Sequence, residues 1–88
     1  MEPKIEFIPS AFKHGVTEAD IWSAFEKFIC DGPLSDFENK YLLLGFDTKG
    51  NLLEIMYNDI NGDTVKVFHA MKCRRQFHEN LDIRKIDQ

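Results

Sequence analysis

Apolar positions change their period along this chain, and each change marks an element. Lys4 to Ile8 alternates polar and apolar until Pro9 closes the run, which predicts a short edge strand. From Thr17 the spacing lengthens: Ile21, Ala24, Phe25, Phe28 and Ile29 recur at i, i+3, i+4, i+7 and i+8, one apolar stripe of a helix, with Asp20, Ser23, Glu26 and Lys27 facing away. Thr17-Glu18-Ala19-Asp20 supplies its capping signal, and Asp31-Gly32-Pro33 its stop, with Leu34 to Glu38 a loop. Lys40 to Phe46 is apolar on both parities, as expected of a strand contacted on both faces of a sheet.

Asp47-Thr48-Lys49-Gly50-Asn51 is a hairpin turn with its glycine late, and Leu52 to Tyr57 returns as the next strand. Asn61-Gly62, within Asn58 to Asp63, marks a second reversal before a strand over Thr64 to Ala70. A terminal helix is expected from Met71 to about Ile86. The order is β-α-β-β-β-α: a single α+β domain over residues 1–88, in which an antiparallel three-strand meander is packed by helices in two layers.

Composition sets the class. Eight Phe among 88 residues and 43% hydrophobic residues indicate a folded chain with one modest core. No apolar run approaches the roughly 18 residues that span a bilayer, and the cytoplasm is the expected compartment. Cys30 and Cys73 stand far apart and form no paired motif, so both are expected to be semi-buried or buried thiols. The net charge of −4 argues against indiscriminate nucleic-acid binding. Charge is uneven, however: Thr64 to His78 carries Lys66, Lys72, Arg74 and Arg75 and no acid, either a basic patch or a solvated face.

Lys13-His14-Gly15-Val16, directly before the cap, carries the first chemical hint. A helix N-terminus presents unpaired N–H groups and partial positive charge, so Lys13 and His14 beside it complete a small anion-attracting site for which RNA phosphate is the candidate. The plainer reading leaves Lys13 solvated, His14 bonded to local backbone and Gly15 supplying a turn with positive φ. Metal-free RNA cleavage uses the neighbouring 2′-hydroxyl as nucleophile, and the protein must take that proton, hold the developing charge and protonate the leaving oxygen. His14, His69, His78 and Glu38 are available for proton transfer; Lys13, Lys40, Lys72, Arg74 and Arg75 can hold charge. His69 shares parity with Val65 and Val67, so it either packs in the core or escapes it at the strand end. Trp22 and Phe68 lie off the apolar patterns and are candidates for partner contact or second-layer packing. The scattered His and acidic residues have no metal-ligand spacing, and neither a metal nor a cofactor is expected.

Three segments resemble the BrnT family of toxins, small ribonucleases of type II toxin–antitoxin modules with a RelE-like fold. They are Lys13-His14-Gly15-Val16-Thr17 entering the first helix, Tyr41-Leu42-Leu43-Leu44-Gly45-Phe46 followed by Gly50-Asn51-Leu52-Leu53, and Val67-Phe68-His69-Ala70-Met71-Lys72 followed by basic residues. The resemblance runs from about Phe7 to Glu79. It implies an RNA-cleaving toxin neutralised by a small ribbon-helix-helix antitoxin. Two positions depart from the family pattern: Met71 stands where members commonly carry an arginine, and Lys40 replaces another arginine, keeping the charge without the bidentate fork. The candidate catalytic set is thus Lys13, His14, His69, Lys72 and Arg74, of which Lys13, His14, His69 and Arg74 are expected to converge where the entrance of the first helix meets the end of the last strand and the start of the last helix. Lys40 and Arg75 are candidate RNA contacts, and Trp22 and Phe68 candidate contacts to the antitoxin or to a second copy in a homodimer. The competing expectation is a non-catalytic protein-binding module with a degenerate site.

Overall fold

The chain begins as an edge strand, β1 (Lys4–Phe7), and a single 3-10 turn (Pro9–Phe12) leads from it to helix α1 (Glu18–Glu26). Four strands follow, β2 (Phe28–Pro33), β3 (Tyr41–Phe46), β4 (Leu52–Ile60) and β5 (Thr64–Lys72), and then helix α2 (Arg75–Asn80). This computed structural model describes residues 4–34 and 39–80, with side chains described through Phe77. The five strands form one mixed sheet in the order β1-β5-β4-β3-β2. All neighbours are antiparallel except β1, which lies parallel to β5 with Lys4 opposite Thr64 and Phe7 opposite Val67.

α1 covers one face of the sheet. Ile21 and Ala24 from the predicted stripe meet Leu43, Leu53, Ile55, Tyr57, Val67 and Ala70, with Ala11 and Val16 from the entering segment. Ile21, Leu43, Leu53 and Ile55 are at most 1% exposed, and full burial of each such side chain contributes about 1.5–3 kcal/mol. Side chains alternate across a strand, so Leu44, next to Leu43, and Glu54, between Leu53 and Ile55, point to the opposite face. Both are essentially fully buried there, and Leu44 and the buried Phe77 of α2 stand outside the main cluster. β3 is contacted on both faces, as its doubly apolar pattern predicts.

α1 approaches β3 closely enough to touch backbone with backbone. Gly45 lies under Ala24, where a Cβ would overlap the Ala24 carbonyl oxygen. The Ser23 hydroxyl donates to the Phe46 carbonyl (2.9 Å), fixing the helix end over the strand end.

Four expectations need correction. The helix stops at Glu26, and Phe28 and Ile29 open β2 as exposed residues (54% and 39%) instead of closing the apolar stripe. Lys27 leaves helical geometry, and its carbonyl accepts from Phe46 N–H (3.2 Å), starting the sheet pairing that an uncovered β3 edge would lack. Aromatic and β-branched residues suit that pairing, and periodicity over the last two positions of a stripe does not oppose it. Strand β5 runs on to Lys72, so α2 begins at Arg75 and not at Met71, because Met71 and Lys72 pair with Glu54 and Leu53. The meander has four strands, and β1 joins its far edge in parallel. Last, β5 carries a bulge: Met56 pairs with His69 but Tyr57 with Val67, leaving Phe68 extra. The bulge resets the parity, so Val67 and Ala70 face the core while His69 turns to the face of Glu54. The expected continuation of the last helix beyond Asn80 lies outside the described residues.

A buried carboxylate, two imidazoles and a cleft

The turn before α1 is built as its sequence suggests. Gly15 adopts φ +83°, its N–H donating to the Phe12 carbonyl (3.2 Å), and Thr17 caps the helix. The Thr17 hydroxyl oxygen accepts from Asp20 N–H (3.2 Å), while the Asp20 carboxylate accepts from Thr17 N–H (3.4 Å) and from the Thr17 hydroxyl (2.8 Å). In this reciprocal box the positive end of α1 meets a carboxylate of its own chain, Asp20. Hydrogen bonds from Thr48 and then Thr17 hold Asp20 down at about 2.

A cleft of about 510 Å³ opens beside this turn, lined by His14, Gly15 and Val16, by Asp20, by Asp47, Lys49 and Asn51 of the β3–β4 turn, and by Leu53, Met71 and Lys72. Asp47 is internally satisfied, accepting from the N–H groups of Lys49 and Asn51 (2.8 Å each) and from the Asn51 amide (3.2 Å). Burial raises its pKa, but those hydrogen bonds outweigh burial and leave it below the ordinary value. The segment before α1 and the end of β5 thus bring an imidazole and an ammonium to the cleft, and the α1 and hairpin side brings ionised carboxylates.

His14 connects the cleft to the second feature. Its ring stands edge-on to that of His69, centroids 5.7 Å apart at 71°. His69 Nε2 lies 2.9 Å from Oε2 of Glu54. The same carboxylate accepts from Arg74 four times over: backbone N–H to Oε1 at 2.9 Å, Nε to Oε1 and Oε2 at 3.0 and 3.1 Å, and Nη2 to Oε2 at 2.8 Å. Arg74 also lies over the Phe77 ring, its Cζ 5.3 Å from the centroid. Burial alone would raise the Glu54 pKa, but the hydrogen bonds from Arg74 and then His69 outweigh it, and Glu54 titrates below its ordinary value. Cys73, beside this pair, is pushed up to about 11 by burial and by the Glu54 charge, which makes it a poor thiolate.

His14 therefore meets His69 and, through Glu54, Arg74, which lie about 55 and 60 residues further along the chain, and Lys72 shares the cleft with His14. Lys13 is exposed next to His14 but does not line the cleft. Arg74 is occupied by Glu54, so its first duty is to that carboxylate. Arg75 is exposed at the start of α2. Lys40 is not brought in: it precedes Tyr41, which pairs with Tyr57 at the far end of β3, while the cleft adjoins Leu53, opposite Gly45. Five strand residues from Lys40 to Gly45 separate them by roughly 17 Å. Trp22 and Phe68 are half-buried, and neither belongs to the core cluster nor to the partly buried residues packed on it. The Glu38 position and the His78 side chain lie outside the described residues.

Glu54 escaped the sequence reading. Its signal is a single carboxylate inside the apolar run Leu52-Leu53-Glu54-Ile55-Met56, in a strand flanked by strands on both sides. A charge survives full burial there only when paired, so the residue itself announces a partner. Among the described residues no three His, Cys, Asp or Glu side chains cluster as metal ligands do, and no helix is long and apolar enough to cross a membrane. No family model matches the chain, and neither curated proteins nor solved structures match it significantly.

Proposed function

We propose that the protein is a metal-independent ribonuclease toxin of a type II toxin–antitoxin module, of BrnT type with a RelE-like layout, neutralised by a ribbon-helix-helix antitoxin and acting on cytoplasmic RNA. The observation that carries this reading is the paired imidazoles of His14 and His69, one lining the cleft that Lys72 also lines and the other anchored on a buried carboxylate. In the proposed reaction one imidazole takes the 2′-hydroxyl proton as that oxygen attacks the adjacent phosphorus. The bond to the 5′-oxygen breaks, the other imidazole protonates the departing oxygen, and the products are a 2′,3′-cyclic phosphate and a 5′-hydroxyl. Lys72, with Lys13 nearby, offsets the charge that develops on the phosphoryl oxygens, and Arg75 contacts the RNA further out. The aromatic surfaces of Trp22 and Phe68 are assigned to the antitoxin or to a second copy of the chain.

The test is cleavage of single-stranded RNA by purified protein in EDTA. The wild type should release cyclic-phosphate ends, and His14→Ala or His69→Ala should each lose ~10²–10⁴-fold in rate. Met71→Arg should raise cleavage by restoring a bidentate phosphate contact at the cleft. If the wild type cuts nothing and Met71→Arg gains nothing, the ribonuclease reading fails and the non-catalytic binding module replaces it.

A further inference from the structure

We infer that Glu54 is the positioning residue of the imidazole pair: its carboxylate holds His69 in the tautomer protonated at Nε2, leaving Nδ1 as the nitrogen that accepts a proton. The catalytic consequence rests on the ribonuclease reading; the tautomer does not.

The geometry leaves the assignment little freedom. An ionised carboxylate only accepts, so a neutral His69 whose Nε2 lies 2.9 Å from Oε2 must carry its proton on that nitrogen. Glu54 stays ionised because Arg74 contributes a guanidinium and a backbone N–H to it. The contacts fill its acceptor capacity: a carboxylate has about four lone-pair sites, and Oε1 and Oε2 already receive His69 and the four Arg74 contacts. With no site left for substrate and no exposed surface, Glu54 acts through His69 and not on RNA. Two features of the strands make the contact possible. Glu54 faces away from the α1 core between Leu53 and Ile55, and the bulge at Phe68 puts His69, the partner of Met56, diagonally beside it on that face.

A purely structural role predicts something different. If Glu54 only tied Arg74 to β4 at the junction of β5 and α2, its removal would lower stability and leave the His69 ring to choose its own tautomer in both proteins. Long-range nitrogen–proton spectra of the 15N-labelled chain separate the two, recorded well above the ordinary histidine pKa of ~6.5. The groups that face the two side chains are His14 toward His69, and Arg74 and Cys73 toward Glu54. The wild type should show His69 as a single Nε2–H tautomer with its ring proton slowed in exchange, and Glu54→Gln should convert it to a mixture. Where cleavage is measurable, Glu54→Gln should lower kcat by at least ~10-fold, toward the ~10⁴-fold loss of a triad that loses its orienting carboxylate, with KM little changed.

A wild-type His69 that is already a tautomer mixture, or is protonated at Nδ1, overturns the inference. That spectrum needs no variant, so it decides even if Glu54→Gln fails to fold. Absence of cleavage by both the wild type and Met71→Arg, with the Nε2–H tautomer intact, would sink the ribonuclease reading alone.

Discussion

Replacing Gly45 with alanine adds one methyl group where the fold has least room. The new Cβ would overlap the Ala24 carbonyl oxygen and stand 2.8 Å from its carbonyl carbon and 3.0 Å from its Cα. Carbon atoms pack at about 3.5–4.0 Å, so α1 would have to retreat by about 1 Å from β3. All three obstructing atoms are backbone, and no rotamer change relieves them. Overpacking typically costs 1–3 kcal/mol, and a rigid obstruction that also loosens Ile21 and Ala24 over the core belongs at the upper end, ~3 kcal/mol. A domain of this size holds about 4–13 kcal/mol in total at 0.05–0.15 kcal/mol per residue. At about 4–8 °C per kcal/mol, the melting temperature of Gly45→Ala should fall by ~12–24 °C, read by circular dichroism. The double variant Gly45→Ala with Ala24→Gly should melt no higher than the single one, because the obstruction is main chain. A midpoint within ~3 °C of wild type, or rescue by Ala24→Gly, would refute this account of how α1 meets the sheet.

Thr17→Ala removes one half of the capping box and should cost about 1 kcal/mol in thermal unfolding, and under the proposed ribonuclease function it should leave cleavage per folded molecule unchanged. Asp20 titrates at about 2 in the folded chain against an ordinary value of 3.8, so it stabilises the fold above about pH 4 and that stability is lost as pH falls through 3.8 toward 2. The difference in urea midpoint between wild type and Asp20→Asn should therefore be largest near neutrality and shrink toward pH 2. Glu54 and Asp47 are also depressed and slope the same way in both proteins.

The elements with strong local signals were legible in the residues alone. Thr17-Glu18-Ala19-Asp20 closes its own capping box, Gly15 and Gly50 take the positive φ their turns need, and Asn61-Gly62 is left-handed at both positions, φ 60° and 83°. In each case the determining interactions span at most a few residues, so the local sequence contains the whole cause. The double apolar parity of Tyr41 to Phe46 likewise announced a strand buried on both faces.

What tertiary structure decided depends on partners that the local pattern does not contain. Phe28 and Ile29 fit a helical stripe until β3 offers its open edge, and the hydrogen bonds gained there outweigh one more helical turn. The face on which His69 lies depends on a one-residue bulge against β4, and a slip of one residue moves a side chain across the sheet. Glu54 became visible as a site residue only when β4, the bulged β5 and the start of α2 met, because the meaning of a buried carboxylate lies in its donors, and these come from 15 and 20 residues away.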